Sequence, residues 1–410
     1  MDARLTQRMT IDVANLLKVD LSKWTIIPLL MIFTVVVNMC IDITVLEMQM
    51  LSYLVLGLSL LSFVVMSVFY LRTGTISRYV AIIFLFQLLL FSSTFINGSE
   101  IKECFYQGCT LIFIAIASDY YKDRFPFLIC AFALSFSFCT YLNFYHLMTH
   151  PDLWIVDDLK STQGYILGGN YNQMGCRLLC AVATSIVCLR YSKWWIINVI
   201  PVTIISIVTL AIVQSMTSLS GILLFLLFCI IPSRRLLKAG IISLIAAVVL
   251  FQIFVCFQGK GIESNQLAVW IVEDVLGKDI TFTHRIYMWD SASKVFVDSP
   301  IYGYGLVGAD WYYSHMSSFA KGPHNFIWGI LIYGGIVLLA LFTYICYMVF
   351  AKLPATNDRS ILLIYAVTAT MFTMMLMEVY PLPFIITLLT LAYFAPRSQE
   401  VIEQTTQNTE

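Results

Sequence analysis

Apolar runs about as long as a bilayer is thick recur along this chain, and no other feature restricts its fold so much. A hydrocarbon core of about 30 Å needs about 20 apolar residues per helix, with about 17 acceptable. By that measure twelve segments read as spans: 24–41, 50–71, 79–96, 104–118, 125–147, 170–189, 194–213, 217–231, 239–257, 323–350, 360–377 and 380–395. The chain is 60% hydrophobic and 12% charged, whereas a soluble domain carries roughly a quarter of its residues as Asp, Glu, Lys and Arg. The predicted fold is an all-α polytopic membrane protein with about twelve transmembrane helices and a large, partly helical outer loop.

The loops test the span count, because Lys and Arg should gather in every second one. One set holds Arg4, Arg8, Lys18 and Lys23, then Arg72 and Arg78, Lys122 and Arg124, Arg190 and Lys193, Arg234, Arg235 and Lys238, Lys352 and Arg359, and Arg397. The opposite set holds Asp42 and Glu47, Glu100 and Glu103, Asp152, Asp157 and Asp158, the acidic residues of 258–322, Glu378, and all five histidines. This alternation predicts both termini in the cytoplasm. The organisation expected is one integral-membrane domain over 1–410, with 258–322 as the large outer loop and 396–410 as a solvated cytoplasmic tail. The first apolar run has no A-x-A cleavage site and reads as a retained span, not a removed signal peptide. A formal net charge of zero gives no support to a nucleic-acid surface. The eleven cysteines form no C-x-x-C pair and sit mostly inside apolar runs, as small core residues do.

Within the large loop, "THRIYMWDSASKVFV" reads as a helix that begins after Thr283 and is stopped by "DSP" at 298–300. Its partly apolar face would be Ile286, Trp289, Ser293 and Phe296, lying on the outer membrane surface. The next stretch, "IYGYGLVGADWYY", contains Gly303, Gly305 and Gly308 in the dinucleotide-binding order G-x-G-x-x-G. That order binds a pyrophosphate only where a strand enters it and a helix opens from it in a βαβ unit. No such unit surrounds it, so the glycines are expected to let the loop approach backbone or substrate closely.

Three residues outside ordinary packing draw attention. Arg177 is the one Asp, Glu, Lys or Arg well inside a span, roughly 10 Å below its outer end at about 1.5 Å per residue. Asn170, Gln173 and Arg177 share one helix face. An intramembrane arginine is a functional candidate by default, although a snorkelling or structurally paired arginine fits the same spacing. Arg285, at the start of the loop helix, can fork onto phosphate oxygens, but alone it is an ordinary solvated arginine. His324, with Asn325 at the mouth of the tenth span, can serve as a base, a donor to phosphate or an interfacial residue. His284, His315 and His324 lack the spacing of a zinc site.

Taken in order, Arg285 and Trp289, Pro300, Gly303 and Gly305, then His324 and Asn325 with Gly334 and Gly335, resemble the signature loop of the O-antigen polymerase and O-antigen ligase (Wzy-type) superfamily. "GGNYNQMG" looks like that family's glycine and asparagine segment. One departure stands out: the family's S-R-S/T-G or S-R-G is replaced by "TSLSG" at 217–221, with Leu219 where an arginine is expected.

The resemblance implies a GT-C-like glycosyltransferase on the outer face of a bacterial cytoplasmic membrane. It would join undecaprenyl diphosphate-linked oligosaccharide repeats into O-antigen or capsule by an inverting displacement, alongside a flippase and a chain-length regulator. Donor and acceptor would both be lipid-linked, and no cofactor, nucleotide or metal is implied. In that reading Arg177 and Arg285 bind the diphosphate, and His324 orients or deprotonates the acceptor hydroxyl, with Asp290, Asp310 or Glu378 as lesser candidates for the base. Asn170, Asn172, Gln173, Trp289, Gly303, Gly305 and Asn325 would line the substrate. A ligase of the same superfamily is the alternative, and a lipid-linked oligosaccharide flippase or other transporter is the non-enzyme reading. Paired repeats and midplane polar residues, common in transporters, are absent from the sequence.

Overall fold

A computed structural model describes residues 25–154, 164–168, 171–266, 270, 285–317 and 321–407. Among them every regular element is helical, and each predicted span coincides with a helix. These are α1 (Ile26–Cys40), α2 (Gln49–Leu71), α3 (Arg78–Ile96), α4 (Ile101–Tyr120), α5 (Phe125–Thr149), α6 (Met174–Cys188), α7 (Ile196–Ile212), α8 (Met216–Ile230) and α9 (Arg234–Phe251). Two loop helices follow, α10 (Arg285–Asp298) and α11 (Ala309–His315), and then α12 (Phe326–Phe350), α13 (Arg359–Met375) and α14 (Leu382–Gln407). Seven of the described helices are long and apolar enough to cross a membrane, and four shorter ones are apolar, namely α1, α8, α13 and the Leu382–Pro396 part of α14. The predicted solvated tail differs in form: α14 runs through Pro396 to Gln407, in keeping with the helix-favouring Glu and Gln of that stretch.

The bundle is built around α6, which packs against α5, α7, α8 and α13, and around α14, which packs against α4 and α13. Small residues make this possible. A Cβ on Gly175 would lie 2.0 Å from Ser218 Oγ, and one on Gly221 2.3 Å from Met374 Sδ, the close approach that small side chains permit between membrane helices. All eleven cysteines are free, and most are buried in this core, as the sequence predicts. Outer helices show the inverse pattern, leaving Leu54, Leu58 and Leu61 on α2 and Ile197, Ile200 and Ile204 on α7 exposed. Apolar exposure on that scale is stable only in lipid. Buried hydroxyls inside the helices turn back on their own backbone, as Thr184 does to Cys180 O and Thr368 to Ile364 O, which satisfies them where no water is present.

One helix is broken. At Gly334 and Gly335 α12 leaves helical geometry, Gly335 with φ 62°, and the glycine-rich loop fills the gap. Ile336 N–H donates to Pro300 O at 2.8 Å, Tyr304 N–H to Ile332 O at 2.7 Å and Gly305 N–H to Tyr333 O at 2.9 Å. A Cβ on Gly303 would stand 2.4 Å from Ile332 O, and one on Gly335 2.2 Å from Ile301 O. The loop is clipped to α3 and to the turn after it as well, where Leu306 N–H donates to Thr94 Oγ1 and Ser99 Oγ to Tyr304 O. Gly303 and Gly305 therefore serve backbone-to-backbone packing here.

This clip seats α10 on α12 and on the turn at Gly259–Ser264. A second core forms there from Ile286, Trp289, Ala292 and Val295 of α10 with Trp328, Leu331 and Ile332 of α12. The buried face differs from the sequence reading: Ala292 and Val295 turn inward, while Ser293 and Phe296 are half-buried. Packing against α12 turns this face inward. The start expected after Thr283 agrees with a first described helical residue at Arg285, though Thr283 and His284 lie outside the described residues.

The alternation of basic and acidic loops predicts the orientation of the bundle. A reporter fused after residue 300 is expected to lie in the outer compartment and one at residue 236 in the cytoplasm. A cytoplasmic signal from the first fusion would overturn the assignment.

Candidate functional site

Glu378 sits in "MEVYPLP", the short connection from α13 to α14, and is buried there. Two partners reach it from the loop-bearing end. Arg285 Nη2, at the first turn of α10, donates to Glu378 Oε1 at 2.6 Å, and His324 Nδ1 stands 3.3 Å from Glu378 Oε2. A cation, a carboxylate and an imidazole from three separate segments thus form one cluster, with Arg285 and His324 partly exposed. With a proton on Nδ1 shared toward Glu378, the His324 Nε2 lone pair is left to accept. Tyr380 lies two residues beyond Glu378, its hydroxyl 3.4 Å from Ser218 Oγ.

The local fold explains how His324 is held. Its backbone takes φ +46°, an uncommon conformation for a residue with a side chain and one that persists only where neighbours fix it. Asn325 does the fixing. Its Oδ1 caps α12 by accepting from Trp328 N–H at 3.0 Å, and its Nδ2 donates to Gln252 Oε1 at 2.8 Å and Leu376 O at 3.0 Å. Gln252 opens the π turn that ends α9 over Gln252–Cys256, a deviation that commonly marks functional positions in helices. Asn325 is wholly buried and acts on His324 through the backbone.

The other predicted residues fall in different places. Gln173 precedes α6 in the turn Tyr171–Gln173 and donates through Nε2 to Val379 O at 2.7 Å, which ties α6 to the residue after Glu378. Asn172 accepts from Ser215 Oγ at 3.3 Å, and Asn170 lies outside the described residues. Trp289 is in the core beneath α10. Asp290 pairs with Lys294 at 2.9 Å and stands 4.0 Å from Lys260, and Asp310 is exposed in the first turn of α11. Of the three carboxylates considered as a base, Glu378 is the one that touches His324. The departure at 217–221 packs close by, with Ser218 Oγ 2.9 Å from Ser215 Oγ and 3.4 Å from the Tyr380 hydroxyl.

Arg177 does not join the cluster. Its guanidinium lies over the Phe384 ring, in a polar cavity whose lining includes Pro381 and Pro383 but none of Arg285, His324 and Glu378. Two residues escaped the sequence reading. Gln252 is an uncharged amide in an apolar run, which carries no charge to mark it. Tyr380 gave no signal apart from its position two residues after Glu378.

An apolar cavity of about 340 Å³ lies among α9, α12 and α13, lined by Val248, Gln252, Phe326, Phe342, Phe372 and Leu376. Gln252 and Leu376 are the partners of Asn325, and Phe326 follows it in the chain, whereas Arg285, His324 and Glu378 are not in the lining.

Residues 201–343 match a family model described as O-antigen ligase. The match supports the O-antigen polymerase and ligase superfamily, whose members are glycosyltransferase-like or ligase enzymes. It runs from within α7 to within α12, taking in Arg285, His324, Asn325 and the glycine clip, and leaves Arg177 and Glu378 outside. No curated protein and no solved structure was found that matches the chain.

Replacing Asn325 by Ala removes a helix cap and two buried hydrogen bonds, so a loss of about 2–4 kcal/mol is expected. Thermal unfolding of the purified protein measures it. Asn325→Asp keeps the cap acceptor but sets a buried carboxylate against Gln252 Oε1 and Leu376 O, so it should destabilise at least as much as Ala.

Proposed function

We propose that the protein is a polysaccharide polymerase that joins lipid diphosphate-linked oligosaccharide repeats by inverting glycosyl transfer on the outer face of a bacterial cytoplasmic membrane. The observation that supports this reading is the cation, carboxylate and imidazole cluster, together with an apolar cavity whose lining includes Gln252 and Leu376, the residues that hold Asn325 beside His324. A lipid-linked sugar diphosphate has the matching polarity: an apolar chain for the cavity, an anionic diphosphate for the cluster and a saccharide for the space outside.

In this mechanism the diphosphate takes the donors of Arg285 that Glu378 does not occupy. Arg285 reaches Glu378 through Nη2, so the guanidinium keeps further N–H groups for phosphate oxygens. The acceptor hydroxyl gives its proton to His324 Nε2 as its oxygen attacks the anomeric carbon of the donor. The bond from that carbon to the diphosphate breaks, and Arg285 stabilises the charge that grows on the leaving group, a contribution that is commonly the largest catalytic term. Glu378 holds the imidazole in the accepting tautomer and stabilises the imidazolium, as a carboxylate behind a catalytic histidine does. One displacement inverts the anomeric centre.

A ligase that moves finished chains to another acceptor is the second reading, favoured by the description of the matching family. Product analysis separates the two. A disabled polymerase leaves surface glycan one repeat long where a separate ligase is present, and a disabled ligase strands long chains on the lipid carrier. His324→Ala is expected to give the first pattern with turnover reduced about 100- to 10,000-fold and donor binding retained. Loss of donor binding with turnover intact would make His324 a phosphate ligand instead.

Arg285→Ala is expected to abolish polymer, and Arg285→Lys to restore it only in part, because lysine keeps the charge but not the planar fork. Both are read by surface glycan at matched protein levels. Full activity of Arg285→Ala would remove the phosphate role.

A further inference from the structure

Arg177 is 6% exposed, and the described residues around it do not satisfy it. Nη1 donates to Gln173 O and lies 3.6 Å from Cys176 Sγ, the guanidinium carbon stands 4.6 Å from the Phe384 ring centroid, and Nε is buried with no hydrogen-bond partner. No carboxylate pairs with it among the described residues, whereas Arg190 and Arg285 are both paired. A buried, unpaired guanidinium is costly, so an anionic group belongs beside it.

The space for that group is a cavity of about 390 Å³ at the loop-bearing end, inside the range of small-molecule sites. Asn38 and Asp42 from the end of α1, Ser52 from α2, and Glu103, Tyr106 and Gln107 from α4 form its walls. Gly168 closes over the arginine: at φ +92°, a Cβ there would lie 2.3 Å from the guanidinium carbon. Only glycine lets the backbone approach so near and keep the guanidinium turned to the cavity.

The walls select the ligand. A phosphate or diphosphate carrying two or more charges would face Asp42 and Glu103 across the same space. A neutral sugar would leave the guanidinium unpaired. A sugar ring with one carboxylate meets both conditions, its carboxylate on Arg177 and its hydroxyls on the acidic and amide side chains. We propose that this cavity is a subsite for an acidic, uronate-like sugar unit of the saccharide substrate. The proposal rests on the glycosyl-transfer reading for the presence of a saccharide, but the site is separate from the Arg285–Glu378–His324 cluster.

Saturation-transfer NMR on the full-length protein in lipid nanodiscs tests it, with methyl β-glucuronide, methyl β-glucoside and inorganic diphosphate as probes. The glucuronide is expected to bind about 10- to 100-fold more tightly than the glucoside, the worth of a charge-assisted hydrogen bond, and Arg177→Gln should remove that preference. Ser52→Phe, which keeps the arginine and fills the cavity from α2, should lose glucuronide binding at an unchanged unfolding temperature. Glucuronide binding that survives Ser52→Phe, no preference over the glucoside, or displacement of the glucuronide by diphosphate would each overturn the proposal. Binding is read without turnover, so the two readings fail separately. Arg285→Ala and His324→Ala should leave glucuronide binding intact, and full activity of those variants would sink the transfer mechanism while leaving this subsite standing.

Discussion

Backbone groups cut off from water must find partners inside the protein, and the glycine-rich loop exists in this form because of that constraint. Breaking α12 at Gly334 and Gly335 frees carbonyls and N–H groups that lipid cannot satisfy, at a cost of several kcal/mol for each. The loop at 300–306 supplies the missing partners and gains a fixed seat in return. From that seat follow the docking of α10, the second core around Trp289 and Trp328, and the delivery of Arg285 to Glu378. A motif that resembles a phosphate cradle thus acts as a splice between a loop and a membrane helix.

Glu378 is the electrostatic counterpart of that splice. A buried carboxylate is tolerable only when paired, and here a guanidinium and an imidazole approach its two oxygens. The segment from 378 to 384 contributes to both polar places, Glu378 to the cluster and Pro381 and Pro383 to the lining of the Arg177 cavity. Val379 O, held by Gln173, links it to α6. A short connection between two helices therefore takes part in both polar places of the molecule.

Much of the architecture is legible in the sequence because membrane folding obeys a length rule. All twelve predicted spans coincide with helices, seven of them long and apolar enough to cross a membrane, and "DSP" at 298–300 stops α10 where its turn chemistry says it should. The face of α10 is not legible: whether Phe296 or Val295 turns inward depends on α12, which no local periodicity reveals. For the site, Arg285 and His324 are visible as residue types at suggestive places, and the glycines are read correctly as close-approach positions once their neighbourhood is considered. The pairing of Arg285 with Glu378 is hidden because the two are 93 positions apart in the chain. The separation of Arg177 from that pair is hidden as well, since position along a span gives depth but not direction around the bundle.

That same interval in the chain orders events during synthesis. Arg285 and His324 leave the ribosome before Glu378, which arrives only with the connection between α13 and α14. Until those two helices are inserted, the nascent protein carries a cation and an imidazole with nothing to hold them, and α10 lacks its electrostatic anchor. The cluster closes as the bundle does, so an incompletely inserted chain is also a chemically incomplete one.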